Sequence, residues 1–263
     1  MRCKKCNARL AAHDLWCVSC GSQSPAVKTD LASMPVLKNT WSSLSGHWSE
    51  YVPVSGFAII LGIIPIAAIA YILSFVISLD TMNDIQYVLN LLIKSVLFSI
   101  FLPFALIPFS LFDSPQSYSL KRVSCASIFS SYGRYFVFSI VNALFFALIH
   151  VVCFGLPGFA SDPILRLVWI VLLNYWIAIV LPAPVLMETQ GLSPFKAIVK
   201  SYRHFHDVRW NIYLLSLVLS LVNLLAFGLA LFPLLFTLPI SYFVVRDYTL
   251  KLVGFELLEY RIV

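Results

Sequence analysis

The fold class this sequence predicts is an all-α polytopic membrane protein. Six transmembrane helices fall into three units, each a surface helix followed by two spans, behind a small N-terminal segment with four cysteines. Three observations predict it. Of the 263 residues, 60% are hydrophobic and 11% are charged, whereas a soluble domain carries about 25% charged residues. A soluble fold could not hide so much apolar surface, so the bilayer is the expected solvent. The apolar residues come in long runs of span length, and the basic residues cluster on alternate connections between them. The cysteines Cys3, Cys6, Cys17 and Cys20 precede all of the runs.

The cysteine segment comes first. Cys3-x2-Cys6, ten residues, then Cys17-x2-Cys20-Gly21 is the spacing of two metal knuckles. Each tight turn aims two thiolates at one ion, and two turns complete a tetrahedral, all-cysteine zinc site. Disulfides are disfavoured because the basic-residue pattern below places this segment in the reducing cytosol. A redox CxxC belongs with a βαβ pattern, which is absent. With four protein ligands the ion keeps no open position for catalysis, so the expected cofactor is structural Zn2+. His13 reads as a solvated loop residue. A segment of this size cannot bury a core of its own, and the metal substitutes for one.

The residues MRCKKCNARLAAHDLWCVSCGS resemble the short zinc ribbon at the N-terminus of many bacterial and archaeal membrane proteins. The resemblance covers about 22 residues, within a ribbon expected at 1–24, and implies fold and metal rather than activity. Trp16 fills the aromatic position, and Asn7 stands where the family has a glycine. Asn is the residue that best tolerates left-handed backbone after glycine. Residues 25–33 read as a linker to a membrane domain spanning 34–263.

The spans follow in order. A helix needs roughly 20 apolar residues to cross about 30 Å of hydrocarbon. Segments at about 52–79, 87–112, 136–157, 166–187, 210–228 and 230–246 meet this expectation. The last two share one apolar run, which Gly228 and Pro233 are expected to fold into a tight hairpin. Sixteen of the 18 Lys and Arg residues then lie on one face of the membrane; Lys94 and Arg166 are the exceptions. The other face carries LDTMNDIQ and GFASDP, which are acidic. Basic connections stay inside, so both termini are expected in the cytoplasm, and the protein in the cytoplasmic (inner) membrane. The N-terminus shows no cleavable signal peptide.

The cytoplasmic connections carry helical patterns of their own. In SPFKAIVKSYRHFH, Ser193 is the expected N-cap and Pro194 the first helical residue. Phe195, Ile198, Val199, Tyr202 and Phe205 recur at helical spacing opposite Lys196, Lys200 and Arg203, the pattern of a helix lying on the membrane surface. Leu37, Thr40 and Trp41 match Ile128, Ser131 and Tyr132, which match Ile198, Ser201 and Tyr202. A Trp and a Tyr recur beyond the first and third copies, at Trp48 and Tyr51 and at Trp210 and Tyr213. The units run at about 34–112, 120–188 and 193–250.

The third unit is similar to the membrane domain found ahead of some bacterial glycerophosphodiester phosphodiesterases and in stand-alone polytopic proteins. The residues that carry this are Pro182, Pro184, Glu188, Gly191, Ala197, Ser201 and the Arg246-Asp247-Tyr248 run. The catalytic domain of those enzymes has no counterpart here, so the resemblance implies a fold and no chemistry.

HExxH, GxSxG and GxxxxGK[ST] are all absent, which removes the commonest metalloprotease, hydrolase and P-loop signatures. His204-x-His206 with Asp207 reads as the wet end of the surface helix, and Cys125 and Cys153 as small buried residues. Ionisable groups inside spans are costly and often functional; Lys94 and His150 are the two candidates. Asn90, Asn142, Asn174 and Asn223 read as hydrogen-bonding glue between helices. The net charge of +6 fits anionic lipid headgroups at the cytoplasmic face and requires no nucleic acid. The function expected is a non-enzymatic scaffold, assembly or regulatory factor that docks a protein partner through the ribbon or the membrane face. The alternative is a transporter or channel for a small or lipidic substrate, working through Lys94 and His150, since transporters are often built from internal repeats.

Overall fold

The computed structural model describes residues 2, 3, 5–10, 17, 19–22, 32–76, 84–110, 125–154, 163–229 and 231–259. Trp16, His13, Lys121, Arg122 and Arg261, and most of the linker and of both acidic connections, lie outside the described residues. The described chain is helical apart from one isolated antiparallel bridge between Arg2 and Arg9. The helices are α1 (Ser33–Leu44), α2 (Trp48–Ala58), α3 (Ile64–Val76), α4 (Asp84–Ser110), α5 (Cys125–Phe154), α6 (Pro163–Val180), α7 (Ala183–Thr189), α8 (Pro194–Gly228) and α9 (Leu234–Glu259).

Five stretches are long and apolar enough to cross a membrane: Trp48–Ile72, Tyr87–Phe109, Phe129–Phe154, Pro163–Thr189 and Val208–Gly228. The sixth expected span, 230–246, falls in α9 and is not among them. Its apolar part runs only from Leu234 to Val245 before Arg246 and Asp247. That is about 18 Å of helix against roughly 30 Å of hydrocarbon. The hairpin ahead of it does form. α8 ends at Gly228, Leu231 adopts a left-handed φ of 66°, and α9 begins directly after Pro233.

The first span is one rod with a π-helical turn, Ile59–Ile63, joining α2 to α3. Pro65 explains its position. Proline has no N–H to donate to the preceding turn, and a register shift of one residue absorbs the gap. The same turn brings Gly62 against α4, where a Cβ would stand 2.7 Å from the Cβ and backbone nitrogen of Ala105. Only glycine allows so close an approach, the rule for small residues between membrane helices.

Two surface helices differ from expectation. The second is not separate: α5 runs unbroken for 30 residues from Cys125 through the span, because nothing in that stretch stops a helix. The third joins its span within α8, and only Val208, at φ −128° and ψ 30°, marks the bend. Ser193 occupies the N-cap position with extended backbone, yet its side chain makes no capping bond. The expected lipid face holds for Phe195, Val199 and Tyr202, which are exposed, while Phe205 is buried.

The three matched segments nevertheless present the same face to the protein. Thr40, Ser131 and Ser201 are all buried, as are Leu44, Tyr135 and Phe205 one turn later. Side chains four apart share a helix face, so a small hydroxyl followed by a large apolar group points inward in each. The main core lies where these faces meet α9. Tyr51, Tyr135, Phe243 and Tyr248 are among its largest fully buried side chains. The Tyr51 and Phe243 rings pack 5.0 Å apart, tying α9 back to the first span.

Candidate metal centre

The two cysteine turns share one backbone construction. In the first, the Cys3 N–H donates to the Ala8 carbonyl and the Asn7 N–H donates to the Cys3 carbonyl, both at 2.9 Å. In the second, Cys17 donates to Ser22 and Gly21 donates to Cys17, both at 2.8 Å. The fifth residue of each turn must be left-handed: Asn7 has φ 58° and Gly21 has φ 65°. Asn7 therefore does the work of the glycine it replaces.

The turns bring all four sulfur atoms within 4.8 Å of one another. Cys3 Sγ lies 3.5 Å from Cys20 Sγ, and Cys6 Sγ lies 3.4 Å from Cys17 Sγ, so each close pair joins the two turns. The four are free thiols. A tetrahedral ion with metal–sulfur bonds of about 2.3 Å requires sulfur atoms about 3.8 Å apart. The cluster is of that size, and its donors are of the class that holds a metal ion. Among the described residues, Leu10 and Ala8 pack with the cysteines.

Ser22 is the residue the sequence reading missed. Its Oγ lies 3.0 Å from both Cys3 Sγ and Cys20 Sγ. This hydroxyl is the main reason the Cys3 thiol drops to about 5, and it lowers Cys20 as well. At Cys6 the backbone amide of Ala8 favours the thiolate, but the Cys17 and Cys20 thiols outweigh it, pushing that group up to about 12. Hydrogen bonding in the cluster thus favours the thiolate at Cys3 and Cys20 and the protonated form at Cys6. Serine directly after a Cys-Gly pair was the available signal.

Inside the membrane domain, three of the four asparagines bridge helices as expected. Asn142 Oδ1 accepts from Trp176 Nε1 at 2.9 Å, joining α5 to α6. Asn174 Oδ1 accepts from Ser216 Oγ at 3.1 Å, joining α6 to α8. Asn223 Nδ2 donates to Ser241 Oγ at 2.7 Å, joining α8 to α9. Asn90 is 5% exposed, and its Oδ1, like that of Asn223, has no hydrogen-bond partner among the described residues.

Lys94 and His150 come from neighbouring helices, α4 and α5, and Lys94 lies within electrostatic reach of the imidazole. The His150 ring stacks on Tyr87 at 6.2 Å and meets Trp169 edge-on at 6.0 Å. Lys94 also lines a cavity of about 110 Å³ with Ile66, Ile69, Ala70, Leu97 and Phe98.

A second polar group gathers where α1, α5, α7 and α9 meet. Arg246 is buried with its guanidinium 4.6 Å over the Phe243 ring. Its neighbour Asp247 accepts from Thr40 Oγ1 at 2.8 Å, and Arg134 faces Glu188 at 3.9 Å. Ser201 Oγ donates to the Ile179 carbonyl. The sequence pointed to Arg246 and Asp247 only through the run that carries the membrane-domain resemblance, and did not place them in a buried cluster.

No protein-family model, curated protein or solved structure matches the chain.

Proposed function

We propose that the protein is a six-span protein of the cytoplasmic membrane with both termini in the cytosol, acting without catalysis as a scaffold, assembly or regulatory factor. Its zinc ribbon is the docking module for a protein partner. The observation that carries this is the four-thiol cluster. An ion held by Cys3, Cys6, Cys17 and Cys20 has every tetrahedral position filled by protein, so it organises a surface instead of activating water. Zinc is the reading favoured by four thiolates in tetrahedral array, and the resemblance of residues 1–24 to prokaryotic membrane-attached ribbons supports it.

The sixth span is α9, entering the bilayer by the tight hairpin after Gly228. Its apolar part is short, a mismatch that local thinning of the bilayer accommodates. An even number of spans returns the C-terminus to the side on which sixteen basic residues lie. The transport reading is favoured by one observation only, the approach of Lys94 to His150 across two spans.

Cross-linking in native membranes followed by mass spectrometry tests the docking reading, with Cys17→Ser beside the unaltered chain. The expected result is one recurrent partner linked near residues 1–30 and lost in the variant. A partner retained by Cys17→Ser, or none in either sample, overturns it.

A further inference from the structure

We propose that the first cysteine turn is a membrane-docking face, on which Arg2, Lys5 and Arg9 take the phosphates of anionic lipid headgroups. The ribbon then lies against the bilayer to which it is tethered. This goes beyond the scaffold reading and holds whichever protein the ribbon docks.

Arg2 and Arg9 are the two members of the antiparallel bridge beside the first turn. Side chains alternate in direction along extended backbone, and burial follows that alternation. Cys3 and Leu10 are buried together beside the sulfur cluster, whereas Arg2 and Arg9 are exposed. Both arginines therefore leave the ribbon on one side, away from the thiols. Residues directly opposite in an antiparallel pair have Cβ atoms about 4.5–5.5 Å apart, and like charges so placed oppose the pairing. No carboxylate pairs with either arginine among the described residues. An anion between them removes the repulsion, and phosphate suits the position because a guanidinium fork binds two of its oxygens at once. Lys5, in the turn between them, is exposed as well.

The charge is one-sided. Residues 1–24 hold four basic side chains, Arg2, Lys4, Lys5 and Arg9, all ahead of Leu10, and one acidic side chain, Asp14. The second turn, 17–22, has no Lys, Arg, Asp or Glu, so it is left for a partner while the first faces the lipid.

The tether favours lipid over an anion recruited from solution. Ser22 and Ser33 are eleven residues apart, so the ribbon cannot stand more than roughly 40 Å from the start of α1. On α1, Met34 and Trp41 are exposed, which suits a helix lying at the headgroup layer. A tether of that length holds the headgroups at an effective concentration on the order of millimolar, which a soluble nucleic acid or acidic protein would have to exceed.

The test uses the full, zinc-loaded chain with a fluorophore on its N-terminal amine. It is placed in nanodiscs of phosphatidylcholine alone, or of equal parts phosphatidylglycerol and phosphatidylcholine. Both carry the same trace of headgroup-nitroxide lipid, which quenches only at near contact. One basic residue beside an anionic surface is worth about 1 kcal/mol, or roughly five-fold in the ratio of docked to free ribbon. Quenching should be strong only with phosphatidylglycerol and should decline as salt rises. Arg2→Gln with Arg9→Gln should lower the docked ratio roughly twenty-five-fold at unchanged zinc content. Lys196→Gln with Lys200→Gln, on the surface part of α8, should leave docking in place. Equal quenching in the two nanodiscs overturns the proposal, as does full docking of the double arginine variant. Should that variant lose its zinc, Lys5→Gln, which lies outside the bridge, must still lower the ratio about five-fold; no change there overturns the proposal. Release of the ribbon by millimolar inorganic phosphate, or by a short RNA oligonucleotide at constant ionic strength, overturns the lipid assignment.

Discussion

Thr40 and Asp247 are 207 positions apart in the chain, yet the Thr40 hydroxyl donates to the Asp247 carboxylate at 2.8 Å. The bond ties the first described helix to the last, because Thr40 lies on α1 and Asp247 on α9. Burial raises the Asp247 carboxyl above its ordinary 3.8, while the Thr40 bond, Arg246 and Lys251 pull against that rise. The folded chain therefore binds its proton more tightly than the unfolded chain does, and stability falls as pH climbs through 3.8 toward the folded value. Thr40→Val removes one opposing bond, so the fall should steepen; Asp247→Asn should flatten it. Thermal unfolding in detergent across mildly acid to neutral pH measures both, with a loss near neutrality of roughly 1–2 kcal/mol for Thr40→Val.

Gly62 should tolerate no side chain. Gly62→Ala places a methyl 2.7 Å from Ala105, and overpacking of this kind costs about 1–3 kcal/mol. Gly56 is the control, since a Cβ there meets only Leu235, at an ordinary 3.8 Å. Melting temperatures of the two alanine variants should diverge, with Gly56→Ala close to the unaltered chain.

Asn142 should be worth less than its burial suggests. Replacing it by Leu removes the Trp176 bond, and such bonds between membrane helices average about 0.6 kcal/mol. Because the Trp176 ring also stacks 3.6 Å from Phe145, its position should persist. A small stability loss with a shifted tryptophan emission maximum is the expected pair of readings.

At the ribbon, Ser22→Ala should weaken metal binding most in acid. The hydroxyl is the leading cause of the lowered Cys3 and Cys20 thiols. Without it their pKa values rise, protons compete better with the metal, and the pH of half-occupancy moves upward. Titration with a chromophoric chelator reads this shift. Asn7→Gly should bind metal normally, whereas Asn7→Val, forced to φ 58°, should bind less tightly.

Much of this was legible in the sequence for definite reasons. The ribbon was readable because cysteine spacing and a left-handed residue after each pair are local constraints. Span positions were readable because burial in lipid demands continuous apolar runs. The expected sixth span is not among the five long apolar stretches because its run ends at Val245, before Arg246 and Asp247. The second surface helix was drawn apart from its span because amphipathic spacing reveals a face but no boundary when neither Pro nor a cap intervenes. Ser22, the Thr40–Asp247 bond and the unsatisfied Asn90 depend on which residues meet in space, and pattern alone does not carry that.

The most direct test of the account is the metal content of the purified full chain, measured by elemental analysis beside Cys17→Ser. The account predicts one zinc ion per chain, lost in the variant together with protease resistance of the first residues. Substoichiometric zinc in the unaltered chain, or a variant that keeps its metal, would contradict it.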